Sequence, residues 1–400
     1  MTSSVGAGSY RADVIDPESL VPFAPRAEQS VLDELRRRLL ATVWPDAPAG
    51  IGWSAGVDVD ELRELVAYWA DGFDWRAAEE RLNRLPRFRT VIDGIGVHLV
   101  HARARADGPP AMPLLLAHGW PDSFWRYSEV MPLLVDPGAH GGDPADAFDV
   151  VVPDMPGFGY SDRAPQDLDV IGVAALWARL MDRLGYRRFG AAGGDIGSSV
   201  VRWLALDEPD RVAAVHRSDA VLTPDFDRAT LTPEEREWMA GRDAWDLEEG
   251  AYGAMQSTKP QTAAVGLTDS PAGLAAWIVE KLRAWSDRRP DGTSLLSRDA
   301  MLTDVTLYWL TGTIGSSMRM YRATQAMPEA EFARVLAVPT GYTMFPADVE
   351  PPAPDAWLAR TTTDLASVSR PDRGGHFAPI EDPELYAEEI RAFFRPYRER

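Results

Sequence analysis

The chain has no cysteine, which excludes disulfides, thiolate chemistry and cysteine-held zinc. Six histidines are its only imidazoles. His98 and His101 fall on opposite faces of any strand containing both, so no metal cluster is evident, and no metal or organic cofactor is expected. Lysine is almost missing: Lys259 and Lys281 are the only two among 41 basic residues, a skew that fits a GC-rich coding genome and is silent on function. No run of eighteen apolar residues occurs, and Met1 to Tyr10 is Ser/Gly-rich without an apolar segment. That pattern predicts a cytoplasmic protein with no membrane partner. Positive charge is in deficit overall, with a formal net charge of -20, which argues against nucleic acid and anionic membranes. A neutral or cationic small molecule is the easier partner.

What is present is 400 residues with 45% hydrophobic content, enough for a large core. Residues 16–86 carry helix signals, with Val31, Leu32, Leu35, Leu39 and Leu40 at helical spacing and Trp44, Trp53, Trp69 and Trp75 free to pack on something larger. From Phe88 the period changes. Arg89 to Ile92 and Val97 to Ala102 read as two strands joined by a turn at Asp93-Gly94-Ile95-Gly96. Short apolar strands follow at Pro113 to Ala117, Phe148 to Val152, Arg188 to Ala192 and Val212 to His216, with helical patterns between them. Strand alternating with helix predicts an α/β protein with a mostly parallel, doubly wound sheet.

The pattern then breaks for more than a hundred residues, which predicts a helical cap inserted in the sheet. Thr232-Pro233-Glu234-Glu235 is a capping box, and Ser270-Pro271 opens another helix. Strands resume at Val338 to Met344 and Leu365 to Val368, and an amphipathic helix, Pro383 to Phe394, closes the chain. The expected division is a covering segment (1–86), a core (87–220), a cap (221–330) and the remainder of the core (331–400).

Gly193-Gly194-Asp195-Ile196-Gly197 directly follows the apolar run Phe189 to Ala192. It reads as a nucleophile elbow, a turn so tight that glycine is needed on both sides, but with a carboxylate as nucleophile. Such a pentad arises by chance roughly 0.1 times in a chain this long, so its partners matter. After the strand Pro113 to Ala117 comes His118-Gly119-Trp120-Pro121, where the backbone N–H of Trp120 could join that of Ile196 in facing an oxyanion. His376, in Gly374-Gly375-His376-Phe377, occupies a mobile loop position suited to a base. Asp348, Asp219 and Glu350 compete to be the acid that orients it.

Read together, His118-Gly119-Trp120-Pro121, Gly193-Gly194-Asp195, Thr258-Lys259-Pro260, Asp269 to Leu274, Tyr308-Trp309, Gly374 to Phe377 and Glu381 to Leu385 resemble the microsomal-type epoxide hydrolases. These belong to the α/β-hydrolase superfamily and include bacterial and insect juvenile-hormone relatives. The resemblance spans roughly residues 20–396 and implies an α/β-hydrolase fold with a helical cap and an N-terminal covering segment, in a soluble bacterial member.

It further implies Asp195 as nucleophile, His376 as base and Asp348 as acid, with Tyr252 and Tyr321 in the cap donating to the epoxide oxygen. Trp120 and Ile196 would supply the oxyanion hole, and His118, Pro121 and Trp125 would line the substrate pocket. Taken alone, either tyrosine reads as a packing residue. Two departures stand out: Ile196 replaces a frequent aromatic residue, and the mammalian membrane anchor is not seen. The implied partner is a small-molecule epoxide, with homodimerisation left open. A haloalkane or haloacid dehalogenase using the same aspartate, or a non-catalytic binder that kept the fold, are the alternatives.

Overall fold

The structure, a computed structural model, describes residues 19–105, 110–220 and 227–398. The start of the expected covering segment and residues 221–226 of the expected cap lie outside the described residues. The strands are β1 (Val21–Pro22), β2 (Arg87–Ile92), β3 (Ile95–Ala102), β4 (Met112–Ala117), β5 (Phe148–Pro153), β6 (Phe189–Gly193), β7 (Val212–Arg217), β8 (Thr340–Thr343) and β9 (Leu365–Ser369). They form one sheet in the order β1-β2-β3-β5-β4-β6-β7-β8-β9. From β5 onward across the sheet every pairing is parallel, while β1, β2 and β3 pair antiparallel at one side. The β2–β3 hairpin turns through Asp93 and Gly94, both at positive φ (51° and 78°), as a two-residue turn of this hand requires.

Chain order reverses at β4, which has β5 on one side and β6 on the other. In open parallel sheets ligands bind outside the carboxyl ends of the strands at such a reversal. Both glycine-rich motifs, following β4 and β6, sit there.

One expectation needs correction and one strand was missed. The strand expected over Val338 to Met344 is shorter: β8 runs only from Thr340 to Thr343, and Leu336 before it makes an isolated bridge to Thr362. Pro339 stands between them and has no N–H to give to a ladder. The short β1 was not anticipated; Pro22 is tolerated there because the strand is at the sheet edge.

Between β7 and β8 the chain forms helices at Pro233–Glu249, Ala251–Thr258, Pro260–Asp269, Pro271–Ala284, Arg298–Thr311, Ile314–Gln325 and Glu329–Phe332. The Thr232 hydroxyl accepts from Glu235 N–H and the Glu235 carboxylate accepts from Thr232 N–H, so the capping box forms. Near the N-terminus, helices Gln29–Leu40, Val59–Asp71 and Trp75–Asn83 grip these inserted helices. Trp69 Nε1 donates to Thr306 Oγ1 at 2.9 Å, the Tyr68 hydroxyl to Asp299 Oδ1 at 2.8 Å, and Arg38 Nη1 to the Asp269 carbonyl at 2.7 Å. The described residues contain no helix long and apolar enough to cross a membrane.

Helix Arg298–Thr311 is buried from Met301 to Thr311, so it has no solvent face on which to park a charge. Asp304 lies in its middle, fully buried, and neither carboxylate oxygen has a hydrogen-bond partner. Burial, then the nearby charge of Asp122, raises its pKa well above the usual carboxylate range. The neutral acid is therefore the folded form, and the group's contribution to stability is lost as pH climbs from the ordinary carboxylate value toward the raised one. Asp304→Asn is expected to raise stability at pH 8 by about 1–3 kcal/mol, with the gain vanishing near pH 4. Thermal unfolding of both proteins across that range checks it.

Candidate active site

Asp195 sits between β6 and the helix Ile196–Asp207 at φ 57° and ψ −135°, a conformation costing a non-glycine residue about 1–3 kcal/mol. Its surroundings enforce it. A Cβ on Gly193 would lie 2.5 Å from the backbone of Gly197, and one on Gly197 would strike the Ala117 carbonyl at the end of β4. The Asp195 N–H is held by the carboxylate of Asp219. Asp195 Oδ1 accepts from Trp120 N–H at 2.8 Å, and Ile196 N–H also bonds the carboxylate. Gly119 permits this approach, because a Cβ there would overlap the Asp195 carboxylate. Burial raises the pKa of Asp195, opposed by His376 and by these two N–H groups.

The loops after β8 and β9 meet where Ala347 bridges Gly375, which brings Asp348 to His376. Asp348 Oδ1 is 2.6 Å from His376 Nδ1. His376 Nε2 is 3.6 Å from Asp195 Oδ2, buried, and without a hydrogen-bond partner. Burial works against the imidazolium, but the charge and hydrogen bond of Asp348 outweigh it, so His376 lies above its ordinary value. The expectation of a mobile loop fails here. His376 N–H donates to the Trp285 carbonyl at 2.8 Å, its carbonyl accepts from Arg126 Nη2 at 2.6 Å, and the side chain is 2% exposed. Of the competing acids, Asp219 instead holds the elbow and is pushed up to about 6 by burial. Glu350 pairs with Arg242 at 2.7 Å.

Tyr252, from helix Ala251–Thr258, and Tyr321, from helix Ile314–Gln325, lie over this centre. The Trp120 ring stacks on Tyr252 (centroids 5.5 Å apart, planes at 15°) and meets Tyr321 edge-on at 6.0 Å. Burial, with the charge of Asp195 adding to it, holds both phenols well above the usual tyrosine range. A narrow cavity of about 70 Å³ opens against Asp195, His376, Asp348, Asp219 and Tyr252, with Trp238, Trp245 and Met344 among its apolar walls.

Three residues expected at the pocket do not line this cavity. His118 is fully buried, its Nε2 accepting from Met155 N–H at 3.0 Å and its ring edge-on to Phe158. Trp125 faces a different groove, beside Ser128, Glu129 and Leu296. Pro121 is buried in the loop. Toward Asp195 that loop presents the backbone N–H of Trp120, while the Trp120 ring packs against Tyr252 and Tyr321.

Sequence reasoning missed the pair that braces both loops. Arg126 Nη1 and Asp122 Oδ2 are 2.6 Å apart with almost no exposure, Asp122 Oδ1 accepts from Gly119 N–H at 2.8 Å, and Arg126 reaches the His376 carbonyl. Burial of Asp122 is outweighed by Arg126 and His118, so its pKa falls to about 2. Its i,i+4 spacing was the available signal.

Residues 20–127 match the family model for the epoxide hydrolase N terminus, and residues 112–303 match the model for the alpha/beta hydrolase fold. A Stigmatella aurantiaca protein provisionally named an epoxide hydrolase is 42% identical over 95% of this chain and 86% of its own length. The chain belongs to the epoxide hydrolase family. Epoxide hydrolase 1 of Sus scrofa is 34% identical over 97% of this chain and 91% of its own. The crystal structure of the juvenile hormone epoxide hydrolase of Bombyx mori superposes with a TM-score of 0.85 at 28% identity, covering 95% of each chain. This epoxide hydrolase is therefore a hydrolase of the α/β-hydrolase fold.

Arg126→Met would strand the buried charge of Asp122. It is expected to lower unfolding stability by about 3–5 kcal/mol, with much of the loss recovered when Asp122→Asn is added. Urea unfolding of the two single variants and the double variant measures this.

Proposed function

We propose that this enzyme converts a small-molecule epoxide to a vicinal diol through a covalent ester on Asp195. The observation that carries the reading is the unequal treatment of the two Asp195 oxygens. Oδ1 is tied to Trp120 N–H, whereas Oδ2 is left facing His376 at 3.6 Å. In the first step Oδ2 attacks an epoxide carbon, the ring C–O bond breaks, and the freed oxygen takes a proton from Tyr252 or Tyr321. Asp195 needs no base, since a carboxylate is ionised near neutral pH.

In the second step His376 Nε2 removes a proton from water, and the resulting hydroxide attacks Cγ of the ester. Trp120 and Ile196 N–H groups stabilise charge on Oδ1, and the diol leaves carrying Oδ2. Asp348 orients His376 and stabilises its imidazolium form. The same reading assigns residues 87–220 and 331–400 to the catalytic core, 221–330 to the cap and 1–86 to the covering segment.

A single turnover of excess enzyme with styrene oxide in 18O-labelled water tests the ester. Unlabelled first-turnover diol with heavy oxygen left in the Asp195 peptide is expected; labelled diol with an unlabelled peptide would overturn the mechanism.

The raised pKa of His376 also predicts a pH effect. Neutral imidazole is the working base, so the acid limb of ester hydrolysis should fall above the ordinary imidazole value of about 6.5. Asp348→Asn should move that limb to lower pH, because the charge favouring imidazolium is gone, while cutting the plateau about a hundredfold or more. Ester decay followed by tryptophan fluorescence across pH 5–9 reads both effects.

A further inference from the structure

Lys281 is one of two lysines in a chain that otherwise uses arginine, and it is nearly buried. It lies on the cap helix Pro271–Ala284 with Nζ 4.8 Å from the ring centroid of Tyr252 and 5.8 Å from that of Trp285. Glu280 at 2.7 Å and Glu249 at 3.8 Å flank the ammonium. An arginine would spread its charge over a planar fork, whereas an ammonium concentrates it at one point.

We infer that Lys281 is a positioning residue for epoxide opening, acting through Tyr252 by holding a cation on the face of the ring that gives up its proton. This rests on the donor role proposed for Tyr252. As Asp195 Oδ2 bonds to the epoxide carbon, the C–O electron pair moves onto the departing oxygen, which takes the Tyr252 proton, and negative charge grows on the phenol ring. Attraction between that ring and the ammonium grows with it. An interaction stronger in the transition state than in the resting enzyme accelerates the step. Tyr252 needs this help, because burial and the charge of Asp195 both resist loss of its proton. Of the two protons of the attacking water, the one taken by His376 restores the phenol and the other leaves on Oδ2 with the diol, so the cycle balances. The attack of water on the ester carbon, which sets the rate of ester decay, makes no demand on Tyr252 and should not feel Lys281.

A packing role would look different. Lys281 also faces Trp285, whose carbonyl holds His376 N–H, so a structural defect would reach the base and slow hydrolysis as well.

The test is stopped-flow measurement of alkylation and ester decay with styrene oxide in the wild type, Lys281→Met, Lys281→Arg, Tyr252→Phe and the Tyr252→Phe/Lys281→Met double variant. Lys281→Met is expected to slow alkylation about tenfold and leave ester decay within about twofold, Lys281→Arg to recover most of the loss, and Lys281→Met to add nothing once Tyr252 is phenylalanine. Equal slowing in both backgrounds, or slowing of both steps, would overturn the inference in favour of packing. Slow alkylation in Tyr252→Phe with none in Lys281→Met would remove Lys281 alone. Normal alkylation in Tyr252→Phe would remove the tyrosine as donor, and Lys281 with it.

Discussion

The close approach of two backbone turns at the ends of β4 and β6 is the constraint on which the site depends. Asp195 keeps its strained φ because Gly193 and Gly197 let the turn close, and Gly119 lets the neighbouring loop reach the carboxylate. The same closeness aims Trp120 N–H and Ile196 N–H at that carboxylate. Strain of this size persists only where surrounding structure over-determines it. Here the Asp219 carboxylate, holding the Asp195 N–H, is part of that restraint.

Charge placement follows from the same geometry. Asp195, Asp219 and Asp348 surround one imidazole, and burial raises the pKa of both Asp195 and Asp219. Each carboxylate is engaged differently: Asp195 Oδ1 by the Trp120 N–H, Asp219 by the elbow N–H, and Asp348 by the histidine ring. The buried Asp122–Arg126 pair then links the loop after β4 to the loop bearing His376, so that Trp120 N–H and the imidazole are fixed relative to one another.

The features legible in the sequence were those made by neighbours in the chain. Asp93-Gly94, the Thr232–Glu235 capping box and the helix Pro383–Phe394 follow from local backbone chemistry, and each is present. Gly193 was also readable, because the collision it avoids, with Gly197, is within the turn, whereas Gly197 makes room for the Ala117 carbonyl at the end of β4. What could not be read depends on partners far along the chain. Arg126 meets the His376 carbonyl across 250 residues, and that contact turns an expected mobile loop into a clamped one. His118 looked like a pocket residue by its position in a motif, but its ring is committed to Met155 N–H, a partner sequence spacing does not reveal.

The distance between His376 and Asp195 bears on the chemistry as much as their proximity does. A serine nucleophile must surrender its proton to the base, so the two need a direct hydrogen bond. At 3.6 Å, Nε2 and Oδ2 are too far apart for a good one, and a carboxylate has no proton to surrender. Nδ1 is held by Asp348, so Nε2 is the nitrogen left for the water of the proposed mechanism. The spacing therefore suits the second half of the proposed reaction, in which the nucleophile has no proton to surrender.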